Sequence, residues 1–162
     1  MYKSNGILLI LLSVIFLSCT PPIGYEEVLI QKGYQGSVLI LFDSPTNASQ
    51  KAHIKNIYRI DSTGILRFQE LRPEKNSAYS FFFYEDSKIL DSIPYFNPLE
   101  LNNDKEKYKN DTRIVTSFLE SGVYADKNNV KKHFTSFVVG RICDLDSLME
   151  KHDNFISDNL YK

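Results

Sequence analysis

The chain has little cysteine, no excess of charge of either sign and only one apolar run of any length. It contains two cysteines and no tryptophan in 162 residues, and its 19 basic residues nearly balance its 20 acidic ones. Such a balance argues against a nucleic-acid-binding protein, which would carry a clustered positive excess. Two cysteines cannot supply a disulfide framework, so a domain of this size must fold on its hydrophobic core.

The single long apolar run lies at the N-terminus and leads directly to one of the cysteines. Residues 6–17 are uncharged, Lys3 precedes them, and Ser18 and Cys19 follow. A helix needs about 20 apolar residues to cross a hydrocarbon core about 30 Å thick, so this run is too short to span a membrane. A basic start, an apolar core and a small residue before the cut are the three parts of a secretory signal.

The stretch "FLSC" at residues 16–19 resembles the processing site of a bacterial lipoprotein signal, "[LVI]-[ASTVI]-[GAS]-C". Its first two positions depart from the commonest form, although both remain bulky and apolar. The resemblance implies cleavage before Cys19, a diacylglyceryl thioether on its sulfur, and acylation of the new amine, for example with palmitate. Two or more such chains hold a protein stably at a membrane. The alternative is an ordinary secreted protein in which Cys19 is a free thiol.

This interpretation divides the chain into a signal peptide (1–18), a lipidated tether (19–24) and a single domain (25–162). The predicted location is the bacterial cell envelope, anchored through lipid on Cys19. Because Thr20, and not aspartate, follows that cysteine, the resemblance favours the outer membrane; a periplasmic and a surface-exposed face both stay open. Cys143 is then left without a disulfide partner in the chain. A buried small apolar residue is the simplest role for it, with a reactive or intermolecular thiol as the alternative.

The domain itself is patterned as a series of short strands separated by turns and polar loops. Aromatic and β-branched residues dominate these strands, as half-buried sheet surfaces favour. Between Pro94 and Asp111 the pattern lapses into a long polar connection. The predicted strands are Glu26–Ile30, Ser37–Phe42, a hairpin within 54–68 that turns at "DSTG", a hairpin over Phe81–Ile93, Thr112–Glu120 and Phe134–Val139.

The C-terminal segment changes its period. Apolar residues recur there at steps of three and four, which predicts an amphipathic helix over 144–160 with Asp144 capping its start. The predicted fold class is therefore mainly β: an antiparallel β-sandwich or partly open barrel of about seven or eight strands, with one C-terminal amphipathic α-helix. The residues that form the helical stripe are Leu145, Leu148, Met149, Phe155, Ile156 and Leu160.

Two stretches, "KGYQGSVLILFDSP" and "YRIDSTGILRFQ", resemble an uncharacterised bacterial family with a GYxGxVxIxFD motif. Lys32 and Asp61 stand where that family usually has proline. The resemblance implies an exported, often lipid-anchored, β-rich domain, and it brings no catalytic residues with it. The motif positions carried over as structural are Gly33, Tyr34, Gly36, Asp43 and Gly64.

The glycines and the aspartate of this motif also have roles that follow from their chemistry alone. Gly33 and Gly36 suit positions of positive φ or of close backbone approach. Asp43 follows a buried strand, so its carboxylate is placed to accept N–H bonds from the following turn. Catalysis is the alternative role for Asp43.

The sequence contains no recognisable reactive motif. The histidines His53, His133 and His152 lie far apart, and none has a second ligand at the spacing of a zinc motif. His152 falls within the helical stripe, where a core-edge histidine with a satisfied polar tip is expected. No G-x-S-x-G elbow and no phosphate-binding loop are present. We therefore predict no catalytic residues, no metal ligands and no cofactor.

These observations favour a non-catalytic binding or scaffolding domain at the cell envelope, with an envelope protein or a glycan as partner and no nucleic acid. One alternative is an envelope hydrolase with Asp43, His53 or His133 in a site built from loops. Another is an inhibitor or immunity-type lipoprotein, which would show an exposed apolar patch. The identity of the ligand and the oligomeric state stay open at this point.

Overall fold

The computed structural model describes residues 25–45, 55–69 and 77–160, and it is mainly β, as the sequence predicts. The signal peptide, the lipidated tether with Cys19, and His53 lie outside the described residues. Within the described part, eight strands form two four-stranded sheets and one long helix closes the chain. The strands are β1 (Tyr25–Gln31), β2 (Gly36–Pro45), β3 (Lys55–Ile60), β4 (Ile65–Phe68), β5 (Ala78–Glu85), β6 (Lys88–Ile93), β7 (Ile114–Ala125) and β8 (Lys131–Arg141).

The two sheets are mixed, and the expectation of purely antiparallel sheets is wrong. Sheet A has the order β3-β1-β5-β6, and sheet B has the order β4-β2-β8-β7. The pairs β1 with β3, β1 with β5 and β2 with β4 are parallel, while the other three are antiparallel. The sheets face each other as a sandwich rather than closing into a barrel.

The pairs β1 with β3 and β2 with β4 are parallel because the turns from β1 to β2 and from β3 to β4 are arches that pass from one sheet to the other. The turn at residues 32–35 joins β1 in sheet A to β2 in sheet B, and the turn at residues 61–64 joins β3 in sheet A to β4 in sheet B. The predicted hairpin within 54–68 is therefore wrong. Its two strands lie in different sheets, each paired in parallel with the corresponding strand of the first arch.

Local hydrogen bonds hold the second arch in shape. The Asp61 carboxylate accepts from the backbone N–H and from the hydroxyl of Thr63, at 2.8 and 2.6 Å. Gly64 then takes a φ of +73°, which a residue without a Cβ adopts at little cost. The backbone N–H of Leu39 donates to the Gly64 carbonyl at 2.8 Å and thereby ties the second arch to the strand of the first.

The hairpin predicted over Phe81–Ile93 is confirmed as β5 and β6. Its two turn residues, Asp86 and Ser87, have φ values of +47° and +66°. Positive φ at both central positions is the pattern of a type I′ turn, whose twist matches that of the flanking strands. The last two strands also form a hairpin, but each extends further than predicted, so only residues 126–130 form the turn between them.

Among the described residues, three apolar clusters fill the layers. The largest lies between the sheets and contains the inward-facing residues of both, including Val28, Ile30, Ile40 and Phe137. The second and third lie on the other face of sheet B, under the helices. Alternate residues of β2 and β8 point to opposite faces, and both faces are covered. Strand β2 is accordingly apolar without interruption from Val38 to Phe42, whereas β8 also buries the polar residues Thr135 and Ser136.

The segment from Pro94 to Asp111 is not the polar connection that the sequence predicts, because it contains two short helices. These are α1 (Pro98–Asn103) and α2 (Lys105–Tyr108). Asn97 and Asp104 cap them through side-chain oxygens that accept from backbone N–H groups, which is a standard start for a helix. The apolar residues Phe96, Leu101 and Tyr108 are buried against sheet B and anchor the segment.

The predicted C-terminal helix is confirmed as α3 (Leu145–Leu160), preceded by a 3₁₀ turn over Ile142–Asp144. It packs on the outer face of sheet B through Leu145 and Ile156. The Asp144 carboxylate accepts from Nε of Arg141 at 2.6 Å. Within the described residues, no helix has the length and apolar character to cross a membrane.

Candidate functional site

A cavity of about 330 Å³ opens at the end of sheet B opposite the arches. There β2 and β4 end, β7 turns into β8, and α3 reaches its last turn. The volume lies at the small end of the range of about 300 to 1,000 Å³ typical of small-molecule sites. The cavity is lined by Arg67, Tyr124, Ala125, Asp126, Lys127, Lys132 and Leu160.

The strand register brings these side chains together from distant parts of the sequence. Tyr124 of β7 and Lys132 of β8 are cross-strand partners, and Arg67 of β4 lies beside Leu41 of β2. Partners in register share a face of the sheet. All of these side chains therefore project on the face that α3 covers, and Leu160 closes the cavity from the helix.

Lys132 is held between two carboxylates at the cavity wall. Its Nζ lies 3.2 Å from Asp126 Oδ2 and 3.6 Å from Asp43 Oδ1. Burial lowers the pKa of Lys132, but the hydrogen bond to Asp126 and the charge of Asp43 outweigh it, so that pKa lies above its ordinary value. Lys132 is therefore charged, and its charge is already satisfied by the protein.

Asp126 is also fully engaged by its own turn. Its Oδ1 accepts from the backbone N–H groups of Asn128 and Val130, each at 2.9 Å, while Oδ2 faces Lys132. The hydrogen bonds from Val130 and Asn128, together with Lys132, hold the pKa of Asp126 below its ordinary value. The carboxylate is ionised, and each of its two oxygens has a partner.

Tyr124 places a hydroxyl group among these charges. The residue is only 6% exposed, and no hydrogen bond joins its hydroxyl to any residue in the described part of the chain. Burial, followed by the nearby charge of Asp43, raises the pKa of Tyr124. The hydroxyl is therefore neutral at physiological pH and can donate a hydrogen bond into the cavity.

Asp43, one of the predicted motif residues, lies behind this cavity. Strand β2 continues two residues past it, and its carboxylate lies 3.7 Å from Nη1 of Arg67 as well as close to Lys132. The turn that follows, where a capping role would act, lies outside the described residues. Within the described part, Asp43 organises the cations of the cavity.

The other motif residues lie at the opposite end, in the arches. Gly33 and Gly36 have φ values of +82° and +146°. A positive φ is one of the two roles that the sequence predicts for these glycines. The Tyr34 hydroxyl donates to the Ser37 carbonyl oxygen. Burial and the charge of Asp61 raise the pKa of Tyr34 to about 12. These residues shape the arches and are distant from the cavity along the strands.

The structure does not bring Asp43 and His133 together. His133 pairs in register with Phe42, whose ring lies in the core between the sheets. Asp43 reaches Lys132, the neighbour of His133, on the opposite face of sheet B. No group of three or more potential metal ligands occurs among residues 25–45, 55–69 and 77–160.

The side chains of Glu120, Ser136 and His152 form a hydrogen-bonded series that was not predicted. It superficially resembles a hydrolytic triad. The Ser136 hydroxyl donates to Glu120 Oε1 at 3.1 Å, and His152 Nε2 lies 3.2 Å from the same hydroxyl. Ser136 is completely buried, and His152 is 3% exposed. A nucleophile with no access to substrate cannot react. These hydrogen bonds instead attach α3 to sheet B, since His152 lies on the helix and Ser136 on β8.

The geometry fixes the state of that histidine. Because the Ser136 hydrogen is directed to Glu120, the hydroxyl must accept from Nε2–H of His152. Nδ1 is then the unprotonated nitrogen, and it is buried without a partner in the described part of the chain. Burial lowers the pKa of His152 despite the raising effects of Glu120 and Asp153. His152 is a core-edge histidine, as predicted, but only one of its two ring nitrogens has a partner.

Sheet A leaves apolar side chains on its outer face. Tyr25 is 63% exposed and Ile57 is 46% exposed, while Phe82 is half-buried. These residues alternate with inward-facing Val28 and Tyr58 on the same strands.

Cys143 is a half-buried free thiol whose Sγ lies 3.7 Å from Asp144 Oδ1.

No protein-family model, no curated protein and no solved structure matches the chain.

Proposed function

We propose that this chain is a lipid-anchored, non-catalytic binding domain of the bacterial cell envelope. In this proposal, Cys19 carries the lipid and the signal ahead of it is removed. The domain is held close to the membrane surface by the short tether 19–24. Thr20 favours the outer membrane, on either its periplasmic or its outer face.

The observation that carries the proposal is the cavity at the end of sheet B. It combines a concave shape, an apolar wall at Leu160, and polar groups from three strands that converge on one space. Convergent polar groups in a cavity are the usual form of a small-molecule site. Its cations and carboxylates pair with one another in the resting state, and its tyrosine hydroxyl is neutral. This is the composition of a binding site rather than of an acid–base pair.

A second candidate is an inhibitor or immunity-type lipoprotein, which the outer face of sheet A favours. Tyr25 and Ile57 are exposed apolar side chains on neighbouring strands, offset by two residues in the register. A sheet face is broad and lacks the concavity that a small molecule needs, so a protein such as a toxin or a hydrolase is the occupant that fits. Ile57→Lys would abolish inhibition of such a protein while leaving ligand binding in the cavity intact. Equal inhibition by the variant and the wild type would remove this candidate.

The experiment for the leading proposal uses the protein isolated from envelopes of the producing cell. Wild type should enter the detergent phase on phase partitioning, and Cys19→Ser should stay in the aqueous phase. Native mass spectrometry of the wild type with envelope small molecules should then show a bound ligand that is recovered chemically unchanged. A Cys19→Ser protein that still partitions into detergent would refute the anchor, and turnover of the ligand would refute the non-catalytic assignment.

A further inference from the structure

The cavity at the end of sheet B has a surplus of hydrogen-bond donors over acceptors. Both oxygens of Asp126 are occupied, by the 126–130 turn and by Lys132. The Asp43 carboxylate faces Lys132 and Arg67. Asp43 is not among the residues that line the cavity, so Asp126 is the carboxylate of the described lining, and each of its oxygens already has a partner.

The donors are not used to the same extent. Arg67 has five N–H donors in a fixed fork, and its one ion pair in the described part, with Asp43, is 3.7 Å long, beyond hydrogen-bond length. The hydroxyl of Tyr124, on a side chain more than nine-tenths buried, has no partner in that part of the chain. A site with spare donors selects a ligand that brings acceptors.

The net charge of the cluster sets the charge of that ligand. Arg67, Lys127 and Lys132 contribute three positive charges, and Asp43 and Asp126 contribute two negative ones. A ligand with a single negative charge neutralises the site. The phosphate dianion, HPO₄²⁻, would instead leave one negative charge in excess beside the Asp126 carboxylate. The guanidinium fork of Arg67 also matches the planar geometry of a carboxylate.

From these observations we propose that the cavity binds a small organic monocarboxylate. Its carboxylate accepts from Arg67 and from the Tyr124 hydroxyl, and its apolar body lies against Leu160 and Ala125. Lys132 does not touch the ligand in this arrangement, because Asp43 and Asp126 hold it. The inference rests on the proposed binding function and names the ligand class of that site.

Calorimetric titration of the intact lipidated protein in detergent tests the ligand class. The probes are benzoate, its neutral isostere benzamide, and inorganic phosphate. Benzoate should bind at least about tenfold more tightly than benzamide, since hydrogen bonds to charged groups are the stronger ones. Phosphate should bind more weakly than benzoate. Equal binding of benzoate and benzamide, tighter binding of phosphate, or no binding of benzoate would each overturn the proposal.

Two variants locate the binding, and a third serves as a control. Arg67→Gln should weaken benzoate binding about tenfold or more, and Tyr124→Phe, which retains the ring, about threefold to tenfold. Lys88→Gln removes one exposed positive charge from the β5–β6 hairpin and should leave the affinity unchanged. If neither Arg67→Gln nor Tyr124→Phe changed the affinity for benzoate, the binding would lie elsewhere and the proposed site would be refuted. If benzoate fails to bind while an envelope ligand is still retained unchanged, only the ligand class is wrong; failure of both would also remove the proposed function.

Discussion

The ring of Tyr34 in the first arch fills the space that a side chain at position 64 in the second arch would need. A Cβ on Gly64 would overlap the Tyr34 hydroxyl and would lie 2.5 Å from the carbonyl oxygen of Ser37. That hydroxyl donates to the Ser37 carbonyl within the first arch, which holds the Tyr34 side chain where it packs against Gly64 of the second arch.

Replacing Gly64 with alanine should therefore destabilise the protein strongly. The φ of +73° costs a residue with a Cβ about 1 to 3 kcal/mol, and the overlap with Tyr34 and Ser37 adds about 1 to 3 kcal/mol. Urea unfolding measures the loss. Gly33→Ala is the matched control, because Gly33 has a similar φ of +82° but nothing within 4 Å of the added Cβ. Equal losses in the two variants would contradict the interlocked arches.

Acid should loosen the attachment of α3 to sheet B. Burial lowers the pKa of His152 in the folded protein, so the unfolded chain binds the proton more readily. The resulting stabilisation is present above the ordinary histidine pKa of 6.5 and is lost as the pH falls below it.

The free energy of unfolding of the wild type should therefore drop between about pH 8 and about pH 5. His152→Leu, which leaves Ser136 bonded to Glu120, should show a shallower decline over the same range. If both proteins lose the same amount, His152 is not the group responsible.

The hydroxyl of Tyr58 provides a buried hydrogen bond to the carboxylate of Glu26. Tyr58 is completely buried, and its hydroxyl donates to Glu26 Oε2 at 2.8 Å. Glu26 itself is 2% exposed. Tyr58→Phe removes the donor and should lower the free energy of unfolding by about 1 to 3 kcal/mol, the cost of leaving a buried acceptor unsatisfied. Tyr95→Phe, at a side chain that is 52% exposed, should change it by less than about 0.5 kcal/mol. A neutral Tyr58→Phe would show that the bond to Glu26 contributes nothing.

Alkali should unfold the protein through its buried tyrosines. Burial raises the pKa of Tyr34 to about 12, and burial together with the hydrogen bond to Glu26 raises the pKa of Tyr58. Both groups stay neutral in the folded state while the unfolded chain ionises near pH 10, so stability is complete below pH 10 and is lost above it. Phenolate absorbance and circular dichroism, followed together, should show the last tyrosines ionising only as the sheets unfold. Complete ionisation before any loss of β structure would contradict this.

The sequence predicts features that local chemistry determines and misses those set by distant pairing. The hairpin at Asp86 and Ser87 is predicted correctly because its turn and its strands are adjacent and pair with each other. The segment 54–68 has the same pattern of strand, turn and strand, yet its strands pair with β1 and β2, which no local pattern reveals. The caps at Asn97 and Asp104 are a local signal, present in the sequence, that marks the starts of α1 and α2.

The candidate site shows the same division. Asp43 can be selected from sequence because it follows an apolar run within a motif. Arg67, Tyr124 and Lys132 lie on three other strands, and only the register of sheet B brings them to one cavity. A single tyrosine within a long β7 strand gives no sign in sequence that its hydroxyl will face a cavity and have no hydrogen-bond partner among the described residues.

The mass of the intact mature protein, isolated from envelopes of the producing cell, tests the lipid-anchored assignment most directly. The account predicts a chain that begins at Cys19 and carries the added mass of a diacylglyceryl group, with or without a further acyl chain on its amine. A mature chain that begins at another residue, or one that carries an unmodified Cys19, would contradict it.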